Sequence, residues 1–242
     1  MIRVLSTRPL EASLKELAAA RGIIIDELPF IKTSSLQDEA LITKLNELSR
    51  LPITVALTSM NAVEAITAQM DGVTDPLKDA KRVPWKIFSI GSATRELTEK
   101  YFGKEAIAGT APSAAALAEE MLRQKASLQD EIFFFCGDQR RDELPEILRQ
   151  GGIKVNEIIV YRTEQTPHTI TEPYDGVVFF SPSAVHSFFS VNKVAATTVL
   201  FAIGSTTASA IGAYSTGRII AAAAPEKAML INQVIDHFQT RL

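Results

Sequence analysis

Hydroxyl, amide and guanidinium side chains recur directly after short apolar runs of this sequence, in positions suited to anion binding. The segments that carry them are Ser6–Arg8, Thr58–Asn61, Gly91–Thr94, Gly137–Arg141, Ser181–Ser183 and Gly204–Thr206. Small polar residues at such positions are good helix N-caps, and the free backbone N–H groups of a helix start attract carboxylates and phosphates. Each segment alone is explained as well by helix capping. The functional prediction therefore depends on several of them converging on one ligand.

Other chemistries have less support. Cys136 ends an apolar run with no histidine assigned near it, which favours a small buried hydrophobe over a nucleophile. His186 is expected to be a surface or core residue, and Ser181 lacks the G-x-S-x-G context of a hydrolase nucleophile. The sequence contains no dinucleotide-binding glycine fingerprint and no Walker loop. Without these loops a bound dinucleotide or ATP is not expected, and one cysteine with three scattered histidines predicts no metal site.

The elements that must position these groups are short apolar strands alternating with amphipathic helices. The predicted strands are Ile2–Leu5, Ile23–Glu27, Ile53–Leu57, Ile87–Ile90, Glu105–Ala108, Ile132–Cys136, Val155–Ile158, Gly176–Phe180, Val199–Ile203 and Arg218–Ala221. Predicted helices include Glu11–Ala20, Ala114–Gln124 and Glu143–Gln150. Apolar strands without alternation, each followed by a helix, predict an α/β fold with a parallel sheet covered on both faces. Ligands bind such sheets beyond the carboxyl ends of the strands.

Composition narrows the class of protein further. The 242 residues are 46% apolar and 22% charged, which allows a packed core. A net charge of −3 gives no basic surplus for nucleic acid. The apolar region Val199–Ala224 is interrupted by small polar residues and Arg218, which indicates two strands and a helix rather than a membrane span. With no signal peptide recognisable at the start and a lone cysteine, we expect a cytoplasmic protein.

Three pairs of segments repeat along the chain with equal internal spacing. They are Val55–Val63 with Val177–Val185 (VALTSMNAV and VVFFSPSAV), Phe88–Thr94 with Phe201–Thr207 (FSIGSAT and FAIGSTT), and Gly22–Thr33 with Gly152–Thr163. The third pair is preceded in each copy by a strand and a helix, Val4–Ala20 and Phe134–Gln150. One such match would carry no weight, but three together predict a duplicated domain.

The order of the repeats predicts that the chain crosses between the two domains twice. One flavodoxin-like domain would combine residues 1–28 with 168–242, and the other would span residues 35–157, each with a five-stranded parallel sheet. Residues 29–34 and 158–167 would be linker strands that run side by side as a two-stranded antiparallel ladder and act as a hinge.

The ordered segments resemble the uroporphyrinogen-III synthase family over nearly the whole chain. The segments that carry the resemblance are LSTRP, LTSMNAV, IGSAT, GDQRRDELPEILRQGG, VYRT, FFSPSAV and AIGSTTA. The resemblance implies a lyase (hydro-lyase) of haem and related tetrapyrrole biosynthesis. It would convert hydroxymethylbilane, a linear polycarboxylate, to uroporphyrinogen III with inversion of the terminal pyrrole, in the cleft between the domains and with no cofactor. We also expect a monomer that contacts the hydroxymethylbilane-forming enzyme transiently and binds no membrane.

The resemblance also implies site residues. Thr58, Ser59, Thr94, Tyr161, Ser181 and Thr206 occupy positions that line or approach the family's cleft, and Arg8 and Arg141 match family arginines. The strand ends add Ser92, Gly137 and Ser183 as substrate-binding candidates. Tyr161 is the predicted donor to the departing hydroxyl, with an aromatic hinge residue as the equal alternative. Thr94 is the second catalytic candidate, with a helix cap as its alternative, and no role is carried onto Met60 or Asn61.

Three other functions stay open from the sequence. The chain could be a two-lobed, non-catalytic binding protein for an anionic small molecule, which would bind without turnover. It could be a regulatory or scaffold protein that kept the fold without the chemistry. It could also be a different small-molecule lyase or transferase on the same frame.

Overall fold

A computed structural model describes residues 1–70, 83–128 and 131–239 of the chain. Residues 71–82, 129–130 and 240–242, which fall within the predicted domain ranges 35–157 and 168–242, lie outside the described residues. Within the described ranges, no helix is both long enough and apolar enough to cross a membrane.

Strands and helices alternate along most of the chain. The strands are β1 Ile2–Ser6, β2 Ile23–Glu27, β3 Ile31–Ser35, β4 Thr54–Leu57, β5 Lys86–Ile90, β6 Ile107–Ala111, β7 Glu131–Gly137, β8 Lys154–Gln165, β9 Gly176–Phe179, β10 Val199–Ala202 and β11 Ile219–Ala221. The helices are α1 Ala12–Ala19, α2 Glu39–Leu48, α3 Met60–Thr67, α4 Ser92–Phe102, α5 Ala114–Arg123, α6 Glu143–Gln150, α7 Pro182–Phe189, α8 Ser205–Gly212 and α9 Lys227–Gln239.

The described strands form two sheets. The first has five strands in the order β11-β10-β9-β1-β2, and all of its neighbours pair in parallel. The second has six strands in the order β3-β8-β7-β4-β5-β6, and the pairs from β8 to β6 are parallel. The predicted α/β fold with parallel sheets flanked by helices is therefore confirmed.

The two sheets share one strand order when the repeated segments are matched. Read as β2-β1-β9-β10-β11 and β8-β7-β4-β5-β6, the sheets place equivalent strands at equivalent positions. This agreement supports the predicted duplication. The second sheet differs by its edge strand β3, which brings the count to six where five were predicted. The extra strand comes from the segment expected to be a linker.

The central strands of each sheet are buried on both faces. Adjacent side chains of a strand point to opposite sides, so neighbouring residues pack in different apolar clusters. In β1, Val4 belongs to one apolar cluster and Leu5 to another, and both are buried. In β4, Val55 and Ala56 divide in the same way between two further clusters. Trp85 packs in the second sheet's core, and its indole N–H donates to the Leu48 carbonyl at 2.9 Å.

Two strands differ from their predicted bounds by more than one residue. The strand expected at Glu105–Ala108 begins at Ile107, because residues Lys104–Ala106 form a 3-10 turn after Gly103, which has φ of +86°. The strand expected to end at Ile158 continues to Gln165 as one element. The segment predicted as a separate linker strand is therefore the second half of β8.

By contacts within the chain, the protein divides into two compact units. The first consists of residues 1–32 and 164–242, and the second of residues 33–163. The first unit holds both the start of β1 and the last described helix, α9. Whether each unit is a domain with the bounds predicted above stays a prediction.

Candidate functional site

The second sheet brings three predicted site residues together at the carboxyl ends of adjacent strands. β7 lies between β4 and β8. Ser59 follows β4, Gly137 ends β7, and Tyr161 lies on β8 opposite Gly137. Parallel strands end at the same edge of a sheet, so residues far apart in sequence meet there.

Ser59 connects this edge to the start of α3. It is the N-cap of the helix, and its Oγ accepts the backbone N–H of Asn61 at 3.1 Å. The Tyr161 hydroxyl donates to the same Oγ at 3.2 Å. The Asn61 side chain also acts to lower the pKa of the Tyr161 phenol. The capping role that the sequence allowed for Ser59 is therefore present together with a contact to the predicted catalytic tyrosine.

Tyr161 is half-buried, and its electrostatic surroundings keep the phenol protonated. Burial raises the pKa of Tyr161 above its usual value near 10, and the hydrogen bonds with Ser59 and Asn61 only partly oppose this. A neutral phenol with a polar neighbour on its oxygen can donate a proton or a hydrogen bond to a departing group. Asn61 was missed from the sequence. The available signal was its position in the first turn of a helix that follows a strand.

Gly137 provides the space in which the Tyr161 ring lies. A Cβ added to this glycine would be 2.5 Å from both Cε2 and Cζ of the tyrosine and 2.8 Å from its hydroxyl oxygen. Real carbon atoms do not approach so closely, so residue 137 must be glycine while the ring keeps its place. Gly137 is itself buried, and the Tyr161 ring occupies the space that a side chain at residue 137 would need.

The loop after β7 is fastened to β8. The Asp138 N–H donates to the Tyr161 carbonyl at 3.2 Å, and Asp138 Oδ1 accepts the Thr163 N–H at 3.0 Å. Arg140 forms an ion pair with Glu157, which also pairs with Arg149. Arg141, the predicted substrate-binding arginine, is exposed at the end of the same loop. The loop is thus held by its neighbours while Arg141 stays accessible.

Thr94 and Ser92 lie in the first turn of α4, which follows the adjacent strand β5. Thr94 is buried, with 7% of its surface exposed, and its carbonyl accepts the Thr98 hydroxyl at 2.7 Å. The helix cap is Gly91, with φ of +60° and no side chain, so the alternative that Thr94 caps the helix is wrong. The side chain of Ser92 lies outside the described part of the structure.

The remaining candidates apart from Thr58 lie at the equivalent edge of the first sheet. Ser181 caps α7 by accepting the Ala184 N–H at 3.2 Å, and Ser183 is half-buried in the first turn of that helix. Thr206 is exposed in the first turn of α8. Arg8 is exposed after β1, and its carbonyl accepts the Ser6 hydroxyl at 2.5 Å. Thr58 follows β4 of the second sheet, is half-buried, and precedes Ser59, the N-cap of α3.

Cys136 and His186, which were not expected from the sequence to act as nucleophile or base, differ in their exposure. Cys136 is buried, and burial raises the pKa of its thiol to about 12. His186 is on the surface, with Nδ1 2.9 Å from the Tyr214 hydroxyl. Among residues 1–70, 83–128 and 131–239, no three His, Cys, Asp or Glu side chains are grouped so that they could hold a metal ion.

The fold and the site define an α/β protein with parallel sheets whose carboxyl edges present hydroxyl, amide and guanidinium donors together with a protonated phenol. This set suits an anionic small molecule that needs positioning and a proton donor.

Comparisons with known proteins agree with this class. The family model described as uroporphyrinogen-III synthase HemD matches residues 12–232. Uroporphyrinogen-III synthase from Saccharomyces cerevisiae is 25% identical over 117 residues, which cover 46% of this chain and 42% of the yeast protein. The match therefore spans less than half of that relative's length. Because the family model covers most of the chain, the chain belongs to the uroporphyrinogen-III synthase family.

Solved structures show the same fold. The crystal structure of uroporphyrinogen-III synthetase from Helicobacter pylori has a TM-score of 0.66 at 15% identity, covering 98% of this chain and 100% of that one. A mutant uroporphyrinogen III synthase from Thermus thermophilus has a TM-score of 0.59 at 14% identity, with both chains covered in full.

Proposed function

We propose that this chain is a uroporphyrinogen-III synthase, a hydro-lyase that converts hydroxymethylbilane to uroporphyrinogen III. The observation that carries the proposal is the Tyr161 phenol, hydrogen-bonded to Ser59 at the carboxyl edge of a sheet in a chain of this family. This arrangement supplies the proton donor that loss of a hydroxyl group requires.

The proposed reaction consists of loss of water, rearrangement through a spiro intermediate, and a final proton loss. The C–O bond of the terminal hydroxymethyl group breaks, the pyrrole nitrogen supplies the electron pair, and the oxygen leaves as water after taking a proton. The substituted carbon of the last pyrrole then attacks the resulting methylene to give a spiro intermediate, which fragments and recloses with that ring inverted. A final proton loss restores the aromatic pyrrole and balances the proton given to the leaving group.

Tyr161 is the proposed donor to the leaving hydroxyl. Its raised pKa keeps it protonated at neutral pH, and Ser59 holds its oxygen in place. The proton released in the last step can restore the phenol, so the cycle consumes none. General acid catalysis of this kind contributes about 10²–10⁴ in rate.

Positioning of the curled substrate supplies the remaining selectivity. Without an enzyme, the free end of the last pyrrole attacks and gives the uninverted isomer I. Alignment of reacting groups can lower a barrier by about 7–11 kcal/mol, enough to favour the less accessible carbon. We propose that the substrate carboxylates bind the exposed Arg8 and Arg141 and the helix starts that carry Thr58, Ser92, Ser183 and Thr206, with Ser59, Gly137, Thr94 and Ser181 completing the sites.

Several features of the sequence prediction accompany this function as proposals. Domains formed by residues 1–28 with 168–242 and by 35–157 would share one cleft and bend at the linkers 29–34 and 158–167. The two compact units support the division into domains, and the neighbouring positions of β3 and β8 support the paired linkers. We further propose a cytoplasmic monomer without cofactor that meets the hydroxymethylbilane-forming enzyme transiently.

The isomer of the product tests the proposal. Hydroxymethylbilane would be generated in situ, the protein added, the products oxidised, and isomers I and III separated by chromatography. Mostly isomer III is expected. If a folded sample yields isomer I alone but its melting temperature rises on adding ligand, the proposal is wrong and the chain is a non-catalytic binding protein.

A further inference from the structure

The backbone of β8 is irregular at the position where Tyr161 lies. The pairing with β7 runs from Glu131 opposite Lys154 to Cys136 opposite Ile159, and the next pair is Gly137 opposite Tyr161. Val160 is therefore an extra residue on β8. An extra residue of this kind is a β-bulge, which redirects the side chains that follow it.

The bulge turns Tyr161 to the side of the sheet that α3 covers. Ile158 and Val160 are buried in the apolar cluster on that side, while Ile159 is 46% exposed. Regular alternation would place Tyr161 with Ile159. Instead, Tyr161 packs against the cluster that contains Val160, where its hydroxyl reaches Ser59.

Gly137 makes this orientation possible for a steric reason alone. Its φ is not among the positive values found in the chain, so an alanine could adopt its backbone conformation. The obstacle is the tyrosine ring, 2.5 Å from the position of an added Cβ.

Asp138 fixes the strand on the other side of the bulge. Its N–H donates to the Tyr161 carbonyl, and its carboxylate accepts the Thr163 N–H. These two bonds hold the backbone immediately before and after Arg162. The tyrosine is thus constrained through both its ring and its main chain.

We propose that Gly137 and Asp138 are positioning residues that orient the Tyr161 phenol for catalysis, Gly137 by leaving room for the ring and Asp138 by clamping the bulged strand. The inference deepens the proposed function, because it concerns the same tyrosine. It also makes a statement about the substrate-free protein, which can be tested without turnover.

The first test observes Tyr161 directly. The protein has four tyrosines, so carbon-13 labelling of the tyrosine Cζ gives four resonances, and Tyr161→Phe assigns the one of interest. Gly137→Ala should shift that resonance and move its titration towards the ordinary tyrosine range. Gly212→Ala, at a helix end with nothing near an added Cβ, is the matched control and should leave it unchanged.

The second test separates positioning from a general structural effect. Gly137→Ala should lower kcat about as much as Tyr161→Phe, about 10²-fold, with a much smaller change in KM. In the Tyr161→Phe background, Gly137→Ala should have no further effect on kcat, because residues that act through one group are not additive. A full additional loss in the double variant would overturn the inference.

Asp138 keeps the inference testable if Gly137→Ala does not fold. Asp138→Ala removes the acceptor for the Thr163 N–H and should lower kcat about tenfold, the equivalent of one net hydrogen bond. Asp138→Asn keeps an acceptor oxygen and should retain most of the activity. An unchanged Tyr161 resonance in a folded Asp138→Ala protein would contradict the proposed clamp. If wild type forms only isomer I, the proposed function fails, while the resonance experiment still decides the orientation.

Discussion

Glu157 connects two arginines to the sheet that carries Tyr161, and replacing it with glutamine tests how this edge is held. Its carboxylate pairs with Arg140 and Arg149, and its side chain is 16% exposed. Arg140 is 29% exposed and also pairs with Asp142 at 2.6 Å. Glutamine has nearly the same shape and keeps one acceptor oxygen, so the substitution removes the charge and little else.

The expected cost follows from the exposure of each pair. A hydrogen bond to a charged group contributes about 1.5–3 kcal/mol, and we take the lower end for the half-buried Arg140. The pair with Arg149, which is 48% exposed, adds about 0.5 kcal/mol. The acceptor retained by glutamine recovers part of this, so Glu157→Gln should lower the free energy of unfolding by about 1.5 kcal/mol. With a urea slope of about 2 kcal/mol/M, the midpoint should fall by about 0.7 M.

Trp85 provides the assay. It is the single tryptophan of the chain and is buried in the core of the second sheet, so its fluorescence follows unfolding of the unit that contains Glu157. Glu131→Gln is the matched control, because Glu131 forms an exposed ion pair with Lys154 at the far end of β7. The control should leave the midpoint unchanged within error.

The direction of the Glu157 pKa shift determines how its contribution to stability changes with pH. Burial opposes ionisation of Glu157, but the hydrogen bonds from Arg149 and Arg140 prevail, so the pKa of Glu157 is lowered in the folded protein. Its contribution is therefore complete above the unfolded-state pKa near 4.5 and is lost as the pH falls through the folded-state pKa. A difference in unfolding free energy between wild type and Glu157→Gln that persists undiminished through this range would contradict a stabilising role for these ion pairs. So would the absence of a difference at pH 7.

Three further predictions concern other buried groups. Cys136, with a thiol pKa of about 12, should resist thiol reagents at pH 8 until urea unfolds the protein, and rapid labelling of the native protein would contradict its burial. Trp85→Phe loses the hydrogen bond to Leu48 and leaves a cavity, so it should destabilise the protein by about 2–3 kcal/mol in thermal unfolding followed by circular dichroism; an unchanged melting temperature would contradict this. If the Thr94 hydroxyl contacts substrate, Thr94→Val should cut turnover about tenfold while Thr94→Ser retains it. Wild-type turnover in both variants would exclude a role for this hydroxyl.

Local sequence patterns predicted the strands whose apolar runs are buried on both faces. β2 was predicted at its observed bounds, since Ile23–Glu27 follows Gly22, whose positive φ ends the preceding turn. β6 was misplaced because nothing in Lys104–Ala106 distinguishes a 3-10 turn from the start of a strand. The bounds of β8 were missed because the apolar residues around Ile159 continue past the end that was expected.

The site required knowledge of which strands are neighbours. Ser59 and Tyr161 are 102 residues apart and meet only because β7 brings β4 and β8 together. The β-bulge at Val160 depends on pairing between strands, so no pattern within β8 alone reveals it. No role was carried onto Asn61 from the family resemblance, and its effect on the pKa of Tyr161 depends on this same long-range arrangement.

The rate of isomer III formation by wild type and Tyr161→Phe, recorded with the melting temperature of both, decides whether Tyr161 takes part in the chemistry. We expect wild type to form mostly isomer III. We expect Tyr161→Phe, which loses the bond to Ser59 but keeps the ring, to slow by about 10²-fold or more with little change in melting temperature. Equal rates of isomer III formation by the two proteins would contradict a role for Tyr161 in the chemistry.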